Sequence, residues 1–271
     1  MTDLTSDSSV NEPTEDQIAV LADLLRNANR IVVLTGAGIS TESGIPDYRG
    51  PNGIWATGKP PTIGDFMENE ASRRTYWQRR MESYPKLLAA QPNPAHRALV
   101  DLEHAAKLSA IVTQNIDGLH QRAGSDPERV IELHGSAHVV RCTNCGTVFS
   151  GEEIQQRLLD GDLYPGCPVC GGILRTATVL FGEPLPREAL ERSIALTREA
   201  DLLLVVGSSL VVNPAAKLPL IAKRNGAPFV IVNRTETRQD ALADLRLEGS
   251  AGLILPRAIQ QALPRSDTAS L

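Results

Sequence analysis

Three apolar runs, each closing on a turn of small residues, set the limits on what this chain can fold into. Ile31-Val32-Val33-Leu34 runs into Thr35-Gly36-Ala37-Gly38-Ile39-Ser40. Asp201-Leu202-Leu203-Leu204-Val205-Val206 runs into Gly207-Ser208-Ser209. Pro228 to Val232 runs into Asn233-Arg234. Strands that are apolar without alternation are those a parallel sheet buries on both faces. Helical patterns lie between them, and further short strands are expected at 109–112, 130–133 and 243–247. The expected fold is therefore α/β: a Rossmann-like parallel sheet with helices on both faces.

Before the first strand, Thr14-Glu15-Asp16-Gln17 has capping-box form, with Ile18, Leu21, Leu25 and Ala28 following at helical spacing. The stretch from 51 to 95 carries Pro60, Pro61, Pro85, Pro92 and Pro94, which are expected to break it into short helices anchored by Trp55, Phe66, Tyr76, Trp77 and Tyr84. So long a segment between strands is either a functional lid or a small helical module that only packs. His96, opening the next helix, is expected to make local hydrogen bonds only, and neither His120 nor His138 has a case for catalysis. Residues 1–13 and 265–271 read as polar tails. No apolar run is long enough for a membrane helix, and a net charge of −5 offers no overall basic field for nucleic acid.

Gly36 and Gly38 follow a strand, where missing Cβ atoms let backbone N–H groups approach a pyrophosphate. A plain strand–helix turn is the other reading, since Thr41 stands where a dinucleotide fingerprint wants glycine. Asn115 and Asp117, in Thr113-Gln114-Asn115-Ile116-Asp117, sit at the end of an expected strand. There they either meet a ligand or make Asx-turns. His134, beside Gly135 at the next strand end, suits proton transfer at neutral pH or a structural role. Asn233 closes a strand as a ribose-binding residue or as a turn. Cys142-Thr143-Asn144-Cys145 and Cys167-Pro168-Val169-Cys170 are two Cys-x-x-Cys pairs suited to one tetrahedral zinc, with a disulfide or redox pair as the alternative. Four protein ligands leave no open position, so that zinc would be structural. All four cysteines lie in these pairs, which points to a reducing compartment, the cytoplasm.

Taken in order, Gly36-Ala37-Gly38-Ile39-Ser40, Gly44-Ile45-Pro46-Asp47-Tyr48-Arg49, Thr113 to His120 and Leu133-His134-Gly135 resemble the sirtuin family. So do the two cysteine pairs, Phe181-Gly182-Glu183, Gly207-Ser208-Ser209-Leu210 and Val232-Asn233. The resemblance covers about 14–264. It implies one catalytic domain, with a helical cofactor-loop module inserted at about 50–95 and a zinc ribbon at about 138–176. The activity it implies is NAD-dependent removal of an acyl group from lysine, with NAD+ consumed as co-substrate and one structural Zn2+. Free lysine, nicotinamide and O-acyl-ADP-ribose would be the products.

The resemblance further implies His134 as general base, with Asn115 and Asp117 also catalytic in holding the ribose and carboxamide. Cofactor binding would fall to Gly36, Ala37, Gly38, Ser40, Thr41, Asp47, Tyr48, Arg49, Trp55, Gln114, Asn115, Ile116, Asp117, His134, Gly207, Ser208, Ser209, Asn233, Arg234 and Ala251. An acyl-lysine peptide or protein would add as a strand along Val179, Phe181, Gly182, Glu183, Val211 and Asn213. Tyr48 replaces a phenylalanine found in many members. Tyr76 and Arg79 form a Tyr-x-x-Arg pair that in some sirtuins binds a succinyl or malonyl carboxylate; an ordinary amphipathic helix is the favoured reading of the pair. Residues 76–96 look like a mitochondrial branch and 217–249 like a nuclear one, so no subclass follows. A mono-ADP-ribosyltransferase and a non-catalytic NAD sensor remain the competing functions.

Overall fold

Residues 13–47 and 61–263 are described by the structure, a computed structural model. Helix α1 (Glu15–Asn27) begins with the expected capping box: Thr14 Oγ1 accepts the Gln17 N–H, and the Gln17 side chain accepts the Thr14 N–H. Then come β1 (Ile31–Thr35), a 3-10 helix (Ala37–Ser43), α2 (Ile63–Glu68), α3 (Glu70–Ala89), α4 (Pro94–His104), β2 (Leu108–Thr113), α5 (Leu119–Ala123) and β3 (Val130–Glu132). The middle of the chain gives β4 (Gly135–Cys142), β5 (Val148–Ser150), α6 (Gly151–Leu159) and β6 (Leu174–Thr178). The remainder is α7 (Arg187–Glu199), β7 (Leu202–Val206), α8 (Leu218–Arg224), β8 (Phe229–Asn233), β9 (Leu245–Glu248) and α9 (Ala251–Ala262).

Six strands form one sheet in the order β3-β2-β1-β7-β8-β9, every neighbouring pair parallel. Its residues alternate between two cores, which is why β1, β7 and β8 carry no polar face. Ile31, Val33, Leu204 and Val232 pack under α1, α4 and α9, among Leu21, Leu99 and Ile254. Val32, Leu34, Leu203, Val205 and Ile231 pack on the other side with Leu218 and Ala222 of α8 and half-buried residues of α7. Strand order reverses between β1 and β7, so the loops leaving these two strands diverge above the sheet. Open α/β sheets bind ligands at such a point.

Strands β5-β4-β6 make a second, antiparallel sheet. Leu174–Thr178 is the third strand of this small sheet, at the end of the stretch expected to form the zinc ribbon. A separate core holds it together: Trp77 of α3, Ile154 and Leu158 of α6, and Val140, Cys142, Cys167 and Leu174. Helix α3 thus shares its core with the cysteine-bearing strands.

Helix α3 also runs through Pro85, which the sequence suggested would end it. Proline has no N–H, so the Met81 carbonyl one turn earlier loses its helical donor. The Gln155 side-chain amide of α6 donates to that carbonyl at 3.0 Å, replacing the missing bond.

Candidate active site

The polar residues expected from the sequence meet over the switch point. Thr35 ends β1 and Thr113 ends β2, in register with each other. The next residues of both strands therefore emerge side by side. Ser40 Oγ donates to Asp117 Oδ2 at 2.7 Å, and Asn115 Nδ2 donates to Ser40 Oγ at 3.1 Å and to the Gly36 carbonyl at 3.2 Å. All three side chains are buried. Asp117 also makes the Asx-turn considered for it, Oδ1 accepting the Leu119 N–H at 3.0 Å. Gln114 Nε2 donates to Ser208 Oγ at 2.8 Å, tying the loop after β2 to the loop after β7.

Gly36 and Gly38 have a packing reason different from the one read in the sequence. A Cβ on Gly36 would lie 2.7 Å from the Gly207 oxygen, and one on Gly38 2.7 Å from Gly207 Cα. Gly207, at φ +63°, would in turn place a Cβ 2.2 Å from Ile39 N. These glycines let two loops close on each other, joined by Gly38 N–H donating to the Gly207 carbonyl at 2.8 Å. Ala37 and the half-buried Thr41 lie in the same 3-10 turn, where Thr41 Oγ1 donates to the Gly38 carbonyl.

His134 is held by one nitrogen. Its Nδ1 faces the Gln114 carbonyl at 2.8 Å and must donate there, which leaves Nε2 with the lone pair. Burial lowers its pKa below the ordinary 6.5, although the Gln114 carbonyl opposes this. The neutral base is therefore the form present at pH 7. Gly135 is fixed too: at φ +70° it passes so close to β6 that a Cβ would sit 1.9 Å from the Ala177 oxygen.

The family model described as "Sir2 family" matches residues 36–214. The chain belongs to the Sir2 family. It is 45% identical over 232 residues to the NAD-dependent protein deacetylase 1 of Bradyrhizobium diazoefficiens, covering 86% of this chain and 91% of that one. It is 43% identical over 248 residues to the NAD-dependent protein deacylase 2 of Archaeoglobus fulgidus, covering 91% and 96%. A solved structure described as "Sir2-p53 peptide-NAD+" superposes with a TM-score of 0.82 at 39% identity, over 90% of this chain and 98% of that one.

The other expected residues of this sirtuin fall into three groups. At the far end of the sheet, Asn233 closes β8 and donates to the Thr235 carbonyl at 2.8 Å, the turn considered for it. Ala251 opens α9 and is buried, and Arg234 lies 3.8 Å from Glu42. Glu42, which the sequence reading passed over, accepts the Gly252 N–H at 3.1 Å and the Ser250 hydroxyl. It puts a carboxylate on the N-terminus of α9, where the helix dipole favours it, and ties the first loop to the last helix. An acidic residue inside a glycine-rich loop was the signal.

Among the residues expected to line a peptide, Val179 N–H donates to the His134 carbonyl, and Ile63 N–H donates to the Phe181 carbonyl, both at 2.9 Å. Phe181 stays exposed beside Gly182. Glu183 is already occupied: Arg175 grips its carboxylate at 2.6 and 2.7 Å, and Leu180 N–H donates to it at 2.8 Å. Burial would raise the Glu183 pKa, but Arg175 and the Leu180 N–H hold it below the usual range. Glu183 shapes the turn that presents Phe181. Ser209, Val211 and Asn213 lie in the loop after β7, and the Ile116 carbonyl accepts the Ala137 N–H. Asp47 is half-buried at the edge of the described residues. Tyr48, Arg49, Trp55 and the tail residues 1–12 and 265–271 lie outside them. Tyr76, paired in sequence with Arg79, bonds Thr176 through its hydroxyl and packs edge-on against Phe66 and Trp77.

The four cysteine sulfurs lie within 4.8 Å of one another. The Cys142–Cys170 and Cys145–Cys167 sulfurs are 3.5 and 3.7 Å apart. Tetrahedral zinc with bonds of about 2.3 Å needs sulfurs roughly 3.8 Å apart, whereas a disulfide needs about 2 Å. Hydrogen bonds from Thr147 lower the Cys145 thiol to about 6, while burial pushes Cys167 up to about 11. Four thiolates this close require a dication, so the set fits zinc. Zinc would there cross-link the two knuckles, far from any open coordination chemistry.

Two histidines dismissed on sequence prove fully buried. His120 Nε2 and Thr35 Oγ1 are 2.9 Å apart, and Thr35 donates onward to Thr113 at 2.8 Å, so His120 is the donor to Thr35. Burial lowers the pKa of His96 to about 4 and takes His120 well below 6.5. Both are neutral: His120 supports the end of β1, and His96 caps its own helix and packs against His120.

Proposed function

We propose that this sirtuin is an NAD-dependent protein-lysine deacylase in which His134 is the general base. The observation that carries the reading is the His134 tautomer. Nδ1–H is fixed on the carbonyl of Gln114, the residue before Asn115 of the Asn115–Asp117–Ser40 cluster, so the basic nitrogen is Nε2. When bound, NAD+ supplies the ribose carbon that gives up nicotinamide and takes the acyl oxygen. Asn115, Asp117 and Ser40 hold the ribose and carboxamide. Their side chains are already locked by mutual hydrogen bonds, so little ordering is left to do when the ligand enters. His134 Nε2 then takes the proton of a ribose hydroxyl, so that this oxygen can attack the acyl carbon. The acyl-lysine peptide lies along Val179 to Gly182, extending the strand-like edge. Gly36, Gly38, Gly207 and Ser208 carry the phosphates, and Asn233, Arg234 and Ala251 carry the adenosine end. The unbridged all-cysteine metal set supports a reducing, cytoplasmic site of action.

The test is a pair of assays on wild type and His134→Ala: nicotinamide exchange and acyl-ADP-ribose formation from an acyl-lysine peptide, read by mass spectrometry. Wild type should form acyl-ADP-ribose. His134→Ala should lose roughly 10²–10⁴ in deacylation and less in exchange, because nicotinamide leaves before the base acts. An ADP-ribosylated acceptor with no acyl-ADP-ribose would point to a transferase instead. Equal loss of both steps with NAD binding intact would remove His134 from the role of base.

A further inference from the structure

His138 has no part in the chemistry just described, yet it touches the turn that carries Asp117. Its Nε2 lies 2.9 Å from the Asp117 carbonyl and its Nδ1 3.1 Å from the Tyr84 hydroxyl. A carbonyl can only accept, so Nε2 carries the proton. Nδ1 of the neutral ring is then the acceptor, and Tyr84 donates to it. The direction of the chain is fixed: Tyr84 O–H to His138 to Asp117 C=O.

The surroundings hold this chain in place. The imidazole lies against Gly118, where a Cβ would come within 3.1 Å of the ring. Gly118 is at φ +67°, in the turn between Asp117 and α5. The neighbouring residue grips the same turn, Ala137 N–H donating to the Ile116 carbonyl at 3.0 Å. Behind Tyr84, the buried Arg80 guanidinium stacks 3.9 Å from the phenol ring and donates to the Ala137 and Gly151 carbonyls. One strand end of the small sheet therefore clasps Ile116 and Asp117 from below, while Ser40 and the Leu119 N–H hold the Asp117 carboxylate from above.

We propose that His138 is a positioning residue for the nicotinamide-handling turn, fixing the Asp117 backbone through Nε2 with its ring set by Tyr84 of α3. It acts through Asp117 and touches no reacting atom. The inference rests on the deacylase reading for the role of Asp117.

Two amide variants separate this role from simple packing. In His138→Gln the amide nitrogen stands where Nε2 stood and can donate to Asp117. In His138→Asn it stands where Nδ1 stood and reaches only toward Tyr84. The glutamine variant should keep nicotinamide exchange within about twofold of wild type. The asparagine variant should lose about tenfold in exchange, with a raised KM for NAD+, as befits one lost hydrogen bond at a loaded position. KM for the peptide and bound zinc should hold in both. Equal exchange rates in the two variants would overturn the proposal, as would a loss in asparagine confined to peptide KM or zinc content. A wild-type protein that releases no nicotinamide from NAD+ and acyl peptide would instead overturn the deacylase reading, whatever the variants do.

Discussion

A single residue can be wanted for two reasons, and a site glycine and a turn glycine separate them. Gly207 and Gly226 are both left-handed, at φ +63° and +86°, but only Gly207 is crowded; a Cβ on Gly226 meets nothing within 4 Å. Gly226→Ala should therefore cost about 1 kcal/mol for the backbone alone. Gly207→Ala, facing Ile39 N, should cost well over about 2 kcal/mol. Denaturant unfolding of the two variants checks this, and equal losses would mean the two loops can part cheaply. The sequence made Gly36, Gly38 and His134 visible because residue type and strand-end position coincide there. It did not reveal that the glycines face each other's loops, nor which nitrogen of His134 is free, since both depend on register between β1, β2 and β7. Glu42 and His138 were missed for the same reason: each acts on a partner far along the chain.

At the scale of elements, local pattern predicted what local forces decide. The capping box of α1 and the apolar strands formed where the pattern placed them. Pro85 was misread because a proline breaks a helix only when the orphaned carbonyl finds no other donor, and Gln155 is one. Strand β6 was not singled out because Leu174 to Thr178 alternates in burial, as a one-sided sheet requires, while the strands recognised were the continuous apolar ones. The shared core of α3 and the cysteine strands makes zinc removal readable from a distance. In a Trp55→Phe background, stripping zinc with a strong chelator should release about one ion per chain and red-shift Trp77 emission, because Trp77 packs with Cys142 and Cys167. Activity, read in the wild-type protein, should fall with the same loss of zinc. A metal-free protein with unchanged emission and full activity would show that the cysteines hold nothing.

At the scale of the whole molecule, the buried histidines set an acid limit. The folded pKa of His96 lies near 4 while the unfolded chain takes a proton at 6.5. Below pH 6.5 the unfolded state therefore binds protons the folded state refuses, so stability is full above 6.5 and declines as pH falls toward 4. For His96 alone the decline amounts to about 3 kcal/mol, and His120 adds in the same direction. Unfolding free energy measured across that range should fall more gently in His96→Asn, which keeps an acceptor for the Asn93 N–H but cannot titrate. An unchanged slope would place the acid sensitivity elsewhere. The small lobe also bears on how the protein is made. Tyr76 and Thr176, bonded in the finished fold, are 100 residues apart in the chain. At a synthesis rate of about 5–20 residues per second, α3 leaves the ribosome roughly 5–20 s before the strand that completes its core. Until that strand arrives the core around Trp77 lacks Leu174 and stays incomplete, so α3 is a part of the nascent chain that a chaperone's shelter would protect.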